Sequence, residues 1–281
     1  MTRRMADPAF RDDQMNRIRE PQVRAINALC DELRLEKPDF SVPYIAPHYG
    51  ASTAVILALS SNPGPQASGA TGSGMLSREN NDGSAARMSE IYETVSLTDD
   101  QVVPWNAYPW HVHEMYPNGL PNNLINDGLD ALKRLLDLHP NIQAIVAHGG
   151  DAHRSARQFM LKKRFGGYAD ARGLKTWSTR HTSNRAFILR EPEKSIALEG
   201  VCEVYREAMR HAGLTPLSTH KLDLPVPMTG PELRAVARGK LLPLFPGAVE
   251  AEARITEYVN ALPAQRSQRL LVELLLRDLA S

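Results

Sequence analysis

The sequence predicts an α/β fold: a three-layer α/β/α arrangement around a mainly parallel four-stranded sheet, with helical N- and C-terminal extensions. Three observations carry this. Short, continuously apolar runs alternate with longer stretches of helical periodicity, as in βαβ units. The runs do not alternate apolar with polar, as befits strands covered on both faces. Each run ends in polar or turn-forming residues, and open parallel sheets place their sites at those strand ends.

The elements follow in chain order. Asp13 to Leu35 reads as a helix, since Met15, Ile18, Val23, Ile26, Leu29, Cys30 and Leu33 recur near helical spacing. Pro21 is expected to kink it. After a turn-rich stretch, Thr53 to Leu59 is the first buried strand, running into Ser60-Ser-Asn-Pro-Gly-Pro65 and a Gly/Ser-rich loop to Asn81. Ser84 to Val95 reads as a helix. Asp100 to Val103 is a short strand ending in Pro104-Trp-Asn-Ala-Tyr-Pro-Trp110. Leu124 to Leu138 is an amphipathic helix, and Asn141 to Ala147 a strand ending in His148-Gly-Gly-Asp151. A basic helix spans Ala152 to Phe165. Leu174 to Thr179 is the fourth strand, ending at Arg180-His181, and Ser195 to Ala212 is a helix with Gly213 at its end. Leu214 to Pro231 is Pro-rich and reads as a linker before further helices. The expected division is therefore 1–37 as an N-terminal helical extension, 38–213 as the α/β domain, and 214–281 as linker and C-terminal helices.

Composition excludes several function classes. The 281 residues are 42% hydrophobic and 23% charged, enough for a full core without staples. No apolar run reaches the roughly 18 residues of a spanning helix, so no membrane partner is expected. Residues 1–13 are polar without an apolar signal core, which points to a cytoplasmic protein. Two cysteines, Cys30 and Cys202, cannot build a disulfide framework, a four-cysteine zinc site or a four-cysteine iron–sulfur cluster.

Four clusters could carry chemistry. Asn62-Pro63-Gly64-Pro65 follows a buried strand; its amide could orient a water at a pocket mouth, or simply cap a strand–helix turn. Trp105, Asn106, Tyr108 and Trp110 could hold a flat heterocycle, with the Asn106 amide offering a donor and an acceptor to a base edge, or could form an aromatic core cluster. In Arg180-His181-Thr182-Ser183-Asn184-Arg185, His181 could stabilise a departing anion and Ser183 could hold a phosphate, or His181 could be structural. Arg154 to Arg190 holds ten Lys or Arg against the single acid Asp170, in a chain of net charge +1. That imbalance reads as a footprint for a phosphate backbone, with Arg154, Lys162, Lys163, Arg180 and Arg185 among the contacts. Finally, His111, His113, His148, Asp151 and His153 are metal-ligand types. Their spacing matches no common hydrolase site, and a Gly-Gly turn before a helix explains the second group without metal.

Together these residues resemble the uracil-DNA glycosylase superfamily. Asn62-Pro63-Gly64-Pro65 is similar to its first motif, in the form typical of single-strand-selective monofunctional uracil glycosylases. Asn106 falls where that superfamily has its base-reading Asn, and His181-Thr182-Ser183 resembles its second motif. The likeness runs from about Val42 to Arg190. Thr182 stands where the second motif usually has Pro, and Ser61 where the first usually opens with Gly. The segment Ser77 to Asp82 resembles a subgroup feature.

The resemblance implies a monofunctional DNA glycosylase that flips a nucleotide from the stack and hydrolyses its N-glycosidic bond, needing no cofactor and no metal. Asn62 would position the water, His181 would stabilise the leaving base, and Asn106 would read the base. Ser183 and the basic stretch would grip the DNA. Small residues from Gln66 to Gly74 leave the pyrimidine C5 side open, with Met75, Leu76, Trp105, Tyr108 or Trp110 left to stack on the base. Uracil and 5-modified pyrimidines, including bulky phage bases, are the expected substrates. A metal-dependent hydrolase and a silent nucleic-acid binder are the alternatives.

Overall fold

The computed structural model describes residues 3–68 and 72–216, the side chain of Lys163 excepted. Along the chain come α1 (Pro8–Asn16), α2 (Pro21–Glu36), β1 (Tyr44–Ile45), β2 (Ile56–Ser60), α3 (Pro65–Ser68), β3 (Met75–Leu76) and α4 (Gly83–Val95). They are followed by β4 (Val102–Asn106), α5 (Asn122–Leu138), β5 (Ala144–His148), α6 (Gly149–Leu161), α7 (Lys163–Ala171), β6 (Lys175–Thr179) and α8 (Glu193–His211). The main sheet has the order β4-β2-β5-β6 and is parallel throughout. Helices α4 and α8 cover one face, and α5 and α6 the other, with α2 against α5. The expected α/β/α architecture is therefore present. A second, two-stranded parallel pair, β1 with β3, lies outside the sequence reading.

Several elements differ from expectation in their ends. Pro21 does not kink one long helix. It opens α2 at the first helical position, where its missing N–H costs nothing. The expected basic helix is two helices, α6 and α7, broken at Lys162, whose backbone is extended. The first strand begins at Ile56 because Ala51–Thr53 forms a short 3-10 turn. Gly213 does end α8, with φ +76°.

The helices of the 1–37 segment pack into the same core as the sheet. Val23, Ile26, Cys30 and Leu33 of α2 are fully buried, beside Leu57, Leu59 and Ile145 of the strands. On α5, the buried face is Ile125, Leu129, Leu132, Leu135 and Leu136. Truncating such a residue to Ala costs about 2–5 kcal/mol. Gly128 on that face lets α5 press onto the loop after β4: a Cβ there would stand 1.9 Å from the Ala107 carbonyl oxygen. The linker and C-terminal helices expected from residue 214 fall, beyond Pro216, outside the described residues.

The chain leaves β2 towards β4 on one side, while β5 leads to β6 on the other. Adjacent strands whose connections part in this way leave a crevice at their carboxyl ends. The register aligns Ser60 with Asn106, and His148 with Thr179, so these strands end side by side at that crevice.

Candidate active site

One pocket of about 170 Å³ opens at the carboxyl edge of the sheet. Pleat alternation decides which residues reach it. Ala58 and Ser60 of β2, and Pro104 and Asn106 of β4, share the face that lines the pocket. The intervening Leu59 and Trp105 point to the opposite face and are buried in the core. The loops after β2 and β6 then contribute Asn62 and His181. Three of the residues singled out from sequence, Asn62, Asn106 and His181, thus come from three separate strand ends to line one cavity.

Their surroundings differ. Asn106 is 3% exposed. The Asn62 Oδ1 is buried and meets no donor within the described residues. His111, from the aromatic loop, makes a 2.8 Å hydrogen bond through Nδ1 to the Pro63 carbonyl, which ties that loop to the Asn62 turn. Ser61 donates to Asp151 at 2.6 Å. Burial alone would raise the Asp151 carboxyl; hydrogen bonds from Ser61, Arg154 and the Leu120 N–H outweigh it and hold the group below the usual carboxylate range.

His181 is fixed by its own loop. The Ser183 N–H donates to His181 Nδ1 at 3.0 Å. A neutral ring accepting at Nδ1 carries its proton on Nε2 and is a donor there. Burial pushes the His181 pKa down, so the neutral form is favoured; Asp151 opposes that shift and His113 adds to it. Gly149 backs the ring. It has φ +81°, and a Cβ at this position would lie 3.0 Å from His181 Cβ. Arg87 of α4 donates to the Thr182 carbonyl and to Asn184 Oδ1, and lies over the Phe187 ring, clamping the loop from the other side.

The other sequence candidates are placed differently. Trp105, Tyr108 and Trp110 are buried and line no part of the pocket. Trp110 donates to the Leu33 carbonyl, and the Tyr108 hydroxyl accepts from Lys37. Tyr108 and Trp110 pair with ring centroids 4.9 Å apart and meet the end of α2, where Lys37 lies over both rings. Met75 is buried, while its neighbour Leu76 lines the pocket. Ser183 caps a 3-10 turn, its hydroxyl accepting from the Ala186 N–H.

The basic stretch is not one surface. Arg180, Arg185 and Arg190 are exposed around the His181 loop. Arg154 is bonded to Asp151, Asn122 and the Leu120 carbonyl. Lys162 donates to Asn126, and Arg164 pairs with Asp130. These two follow the 13-residue α6, so they sit roughly 20 Å from the site, at the other end of the sheet. The side chain of Lys163 is outside the description.

The His and Asp residues weighed as metal ligands do not converge. His148 bonds the Tyr205 hydroxyl, His153 the Thr179 carbonyl, and His111 pairs with Glu114. Among the described residues, no group of three such side chains is arranged to hold a metal.

Ser77 to Asp82, noted from sequence only as a subgroup feature and given no role, supplies a large part of the pocket. Ser77, Arg78, Asn80, Asp82 and Ser84 line it, with Tyr49, Met88 and Tyr92 as its apolar part. The signal was present as the unbroken polar run Ser77 to Asp82, between an apolar pair and a helix. Among the described residues no helix is long and apolar enough to cross a membrane. No protein-family model matches the chain, and no curated protein matches it.

Proposed function

We propose that the protein is a monofunctional DNA glycosylase acting on a flipped-out pyrimidine. The observation that carries this is the convergence of Asn62, Asn106 and His181 on one pocket. Its volume of about 170 Å³ is close to that of an engineered cavity of about 150 Å³ that takes benzene, so one six-membered ring with small substituents fits.

Each residue has a role suited to its chemistry. The Watson–Crick edge of the base faces the Asn106 amide. As the glycosidic bond breaks, negative charge builds on a base carbonyl, and the Nε2–H of neutral His181 donates to it. This donor is preorganised by Ser183 and Gly149, so no reorganisation is needed in the transition state. The unpartnered Asn62 Oδ1 accepts from the water that captures the sugar. An amide is a poor base, and the mechanism accordingly has the base depart before the water attacks. Ile188, 80% exposed among Arg180, Arg185 and Arg190, is suited to wedge into the stack while those cations meet phosphates. The Leu76 and Met88 side chains supply apolar contact to the ring.

The glycines and small residues before Met75 leave the 5-substituted pyrimidines in play beside uracil. A panel of oligonucleotides carrying uracil, 5-hydroxymethyluracil, cytosine and modified cytosines, followed by alkali, tests the reading. Strand cleavage at one or more of these positions supports it; intact strands throughout overturn it.

A further inference from the structure

Behind Ser77 lies a chain of three polar side chains that the proposed reaction does not use. His48, in the loop after β1, places Nε2 3.0 Å from the Ser77 hydroxyl and Nδ1 3.0 Å from Asp99 Oδ2. Asp99, in the turn before β4, also accepts two hydrogen bonds from the Arg78 guanidinium, at 2.7 and 3.0 Å. The Glu79 N–H donates to the same Ser77 oxygen at 3.0 Å. Ser77 is 8% exposed and lines the pocket.

We propose that Ser77 reads the bound base as a hydrogen-bond acceptor, with His48 and Asp99 as the positioning residues that fix this polarity, and so selects a pyrimidine with an imide N–H. The proposal takes the identity of the ligand from the glycosylase reading and the polarity from the geometry.

With the His48 ring neutral, the polarity follows from counting protons. Asp99 is ionised: burial would raise its pKa, and the His48 and Arg78 hydrogen bonds bring it below the usual range. A carboxylate only accepts, so His48 Nδ1 must carry a proton. In the neutral ring Nε2 then holds a lone pair, which accepts the single Ser77 O–H. The serine has no proton left to donate. One of its lone pairs receives the Glu79 N–H, and the other is what it offers to the pocket.

An acceptor here complements the donor that His181 supplies. A uracil-type base places an imide N–H between two carbonyls, whereas cytosine has a lone pair at the same ring position. The Asn106 amide can face either way and cannot make that choice; a fixed acceptor can. Protonation of His48 would reverse the arrangement. Nε2–H would then donate to Ser77, and the serine proton would turn into the pocket. The charged groups around His48 are Asp99 and Arg78, with Glu93 of α4 at 4.0 Å from Arg78; the Tyr49 ring lies tilted at 37° to the imidazole, with centroids 4.1 Å apart.

The test is a titration of the whole protein with free uracil and free cytosine, followed by NMR, together with the ¹⁵N shifts of His48 at neutral pH. The wild type should favour uracil by roughly ten- to a hundredfold, the range for leaving a buried polar group unpaired. Ser77→Ala should bring that preference to within about threefold of unity. The ¹⁵N shifts, which need no variant, should show the Nδ1–H tautomer. An unchanged preference in Ser77→Ala, the Nε2–H tautomer or a doubly protonated His48 ring, or a wild type that binds neither base would overturn the proposal. Uracil binding with no abasic site formed in any oligonucleotide would overturn the glycosylase reading alone.

Discussion

Gly149→Ala probes the support of His181 without touching the ring itself. The backbone at Gly149 has φ +81°, a region that costs a residue with a side chain about 1–2 kcal/mol. The added methyl would also stand 3.0 Å from His181 Cβ and 3.2 Å from Cδ2. Ordinary contact needs about half an ångström more, so the imidazole must shift by roughly that amount. A misplacement of about 1 Å can cost 10²-fold in rate. Half of it should lower single-turnover base release by about tenfold. Thermal stability should fall by roughly 2–8 °C, from 2–4 °C per kcal/mol for a domain of this size. Gly150→Ala is the matched control: its φ is not in the left-handed region and a Cβ there meets nothing within 4 Å. Rates come from quenched-flow sampling of an oligonucleotide at saturating protein, and stability from a thermal melt. A folded Gly149→Ala protein with wild-type rate, or an equal loss in Gly150→Ala, would refute the reasoning.

Removing the imidazole altogether, in His181→Ala, should slow single-turnover cleavage by about 10²–10³, the usual effect of losing one preorganised donor, with DNA affinity little changed. Arg185→Ala should lower the slope of log binding constant against log salt by about one unit, whereas Arg164→Ala, at the other end of the sheet, should leave that slope unaltered; equal effects would restore a single basic footprint. His148, buried against Tyr205, has its pKa pushed down to about 3, first by burial and then by His181, with the Arg180 carbonyl opposing. Its native state binds fewer protons than the unfolded chain below about pH 6.5, so stability is lost as pH falls from there towards about 3. The loss approaches about 5 kcal/mol at about 1.4 kcal/mol per unit. Urea midpoints measured from pH 7 to pH 4 should therefore fall more steeply in wild type than in His148→Gln, and parallel curves would contradict this.

The strands and helices were legible because their signals are local. The apolar run ending at Leu59 and the heptad-like face of α5 each fix an element without reference to the rest. Their ends were less legible, since propensity alone does not show that Pro21 starts a helix or that Lys162 interrupts one. The site divided in the same way. Asn62, Asn106 and His181 were found because strand ends converge in any open parallel sheet. The roles of Trp105 and Tyr108 depended on pleat parity: one residue along β4 separates Asn106, in the pocket, from Trp105, in the core. Parity cannot be read until the register is known. The Ser77–His48–Asp99 chain was invisible for a further reason. Its members are 29 and 51 residues apart, in three loops, and no spacing rule joins them.

The most direct test of the central claim compares wild-type protein with Asn62→Ala on a uracil- or 5-hydroxymethyluracil-containing strand, scoring alkali-labile sites and, in parallel, binding to the same strand. The glycosylase mechanism predicts abasic sites with the wild type, their loss with Asn62→Ala, and equal binding by both. Abasic sites formed at the wild-type rate by Asn62→Ala, or none formed by either protein on any base, would contradict it.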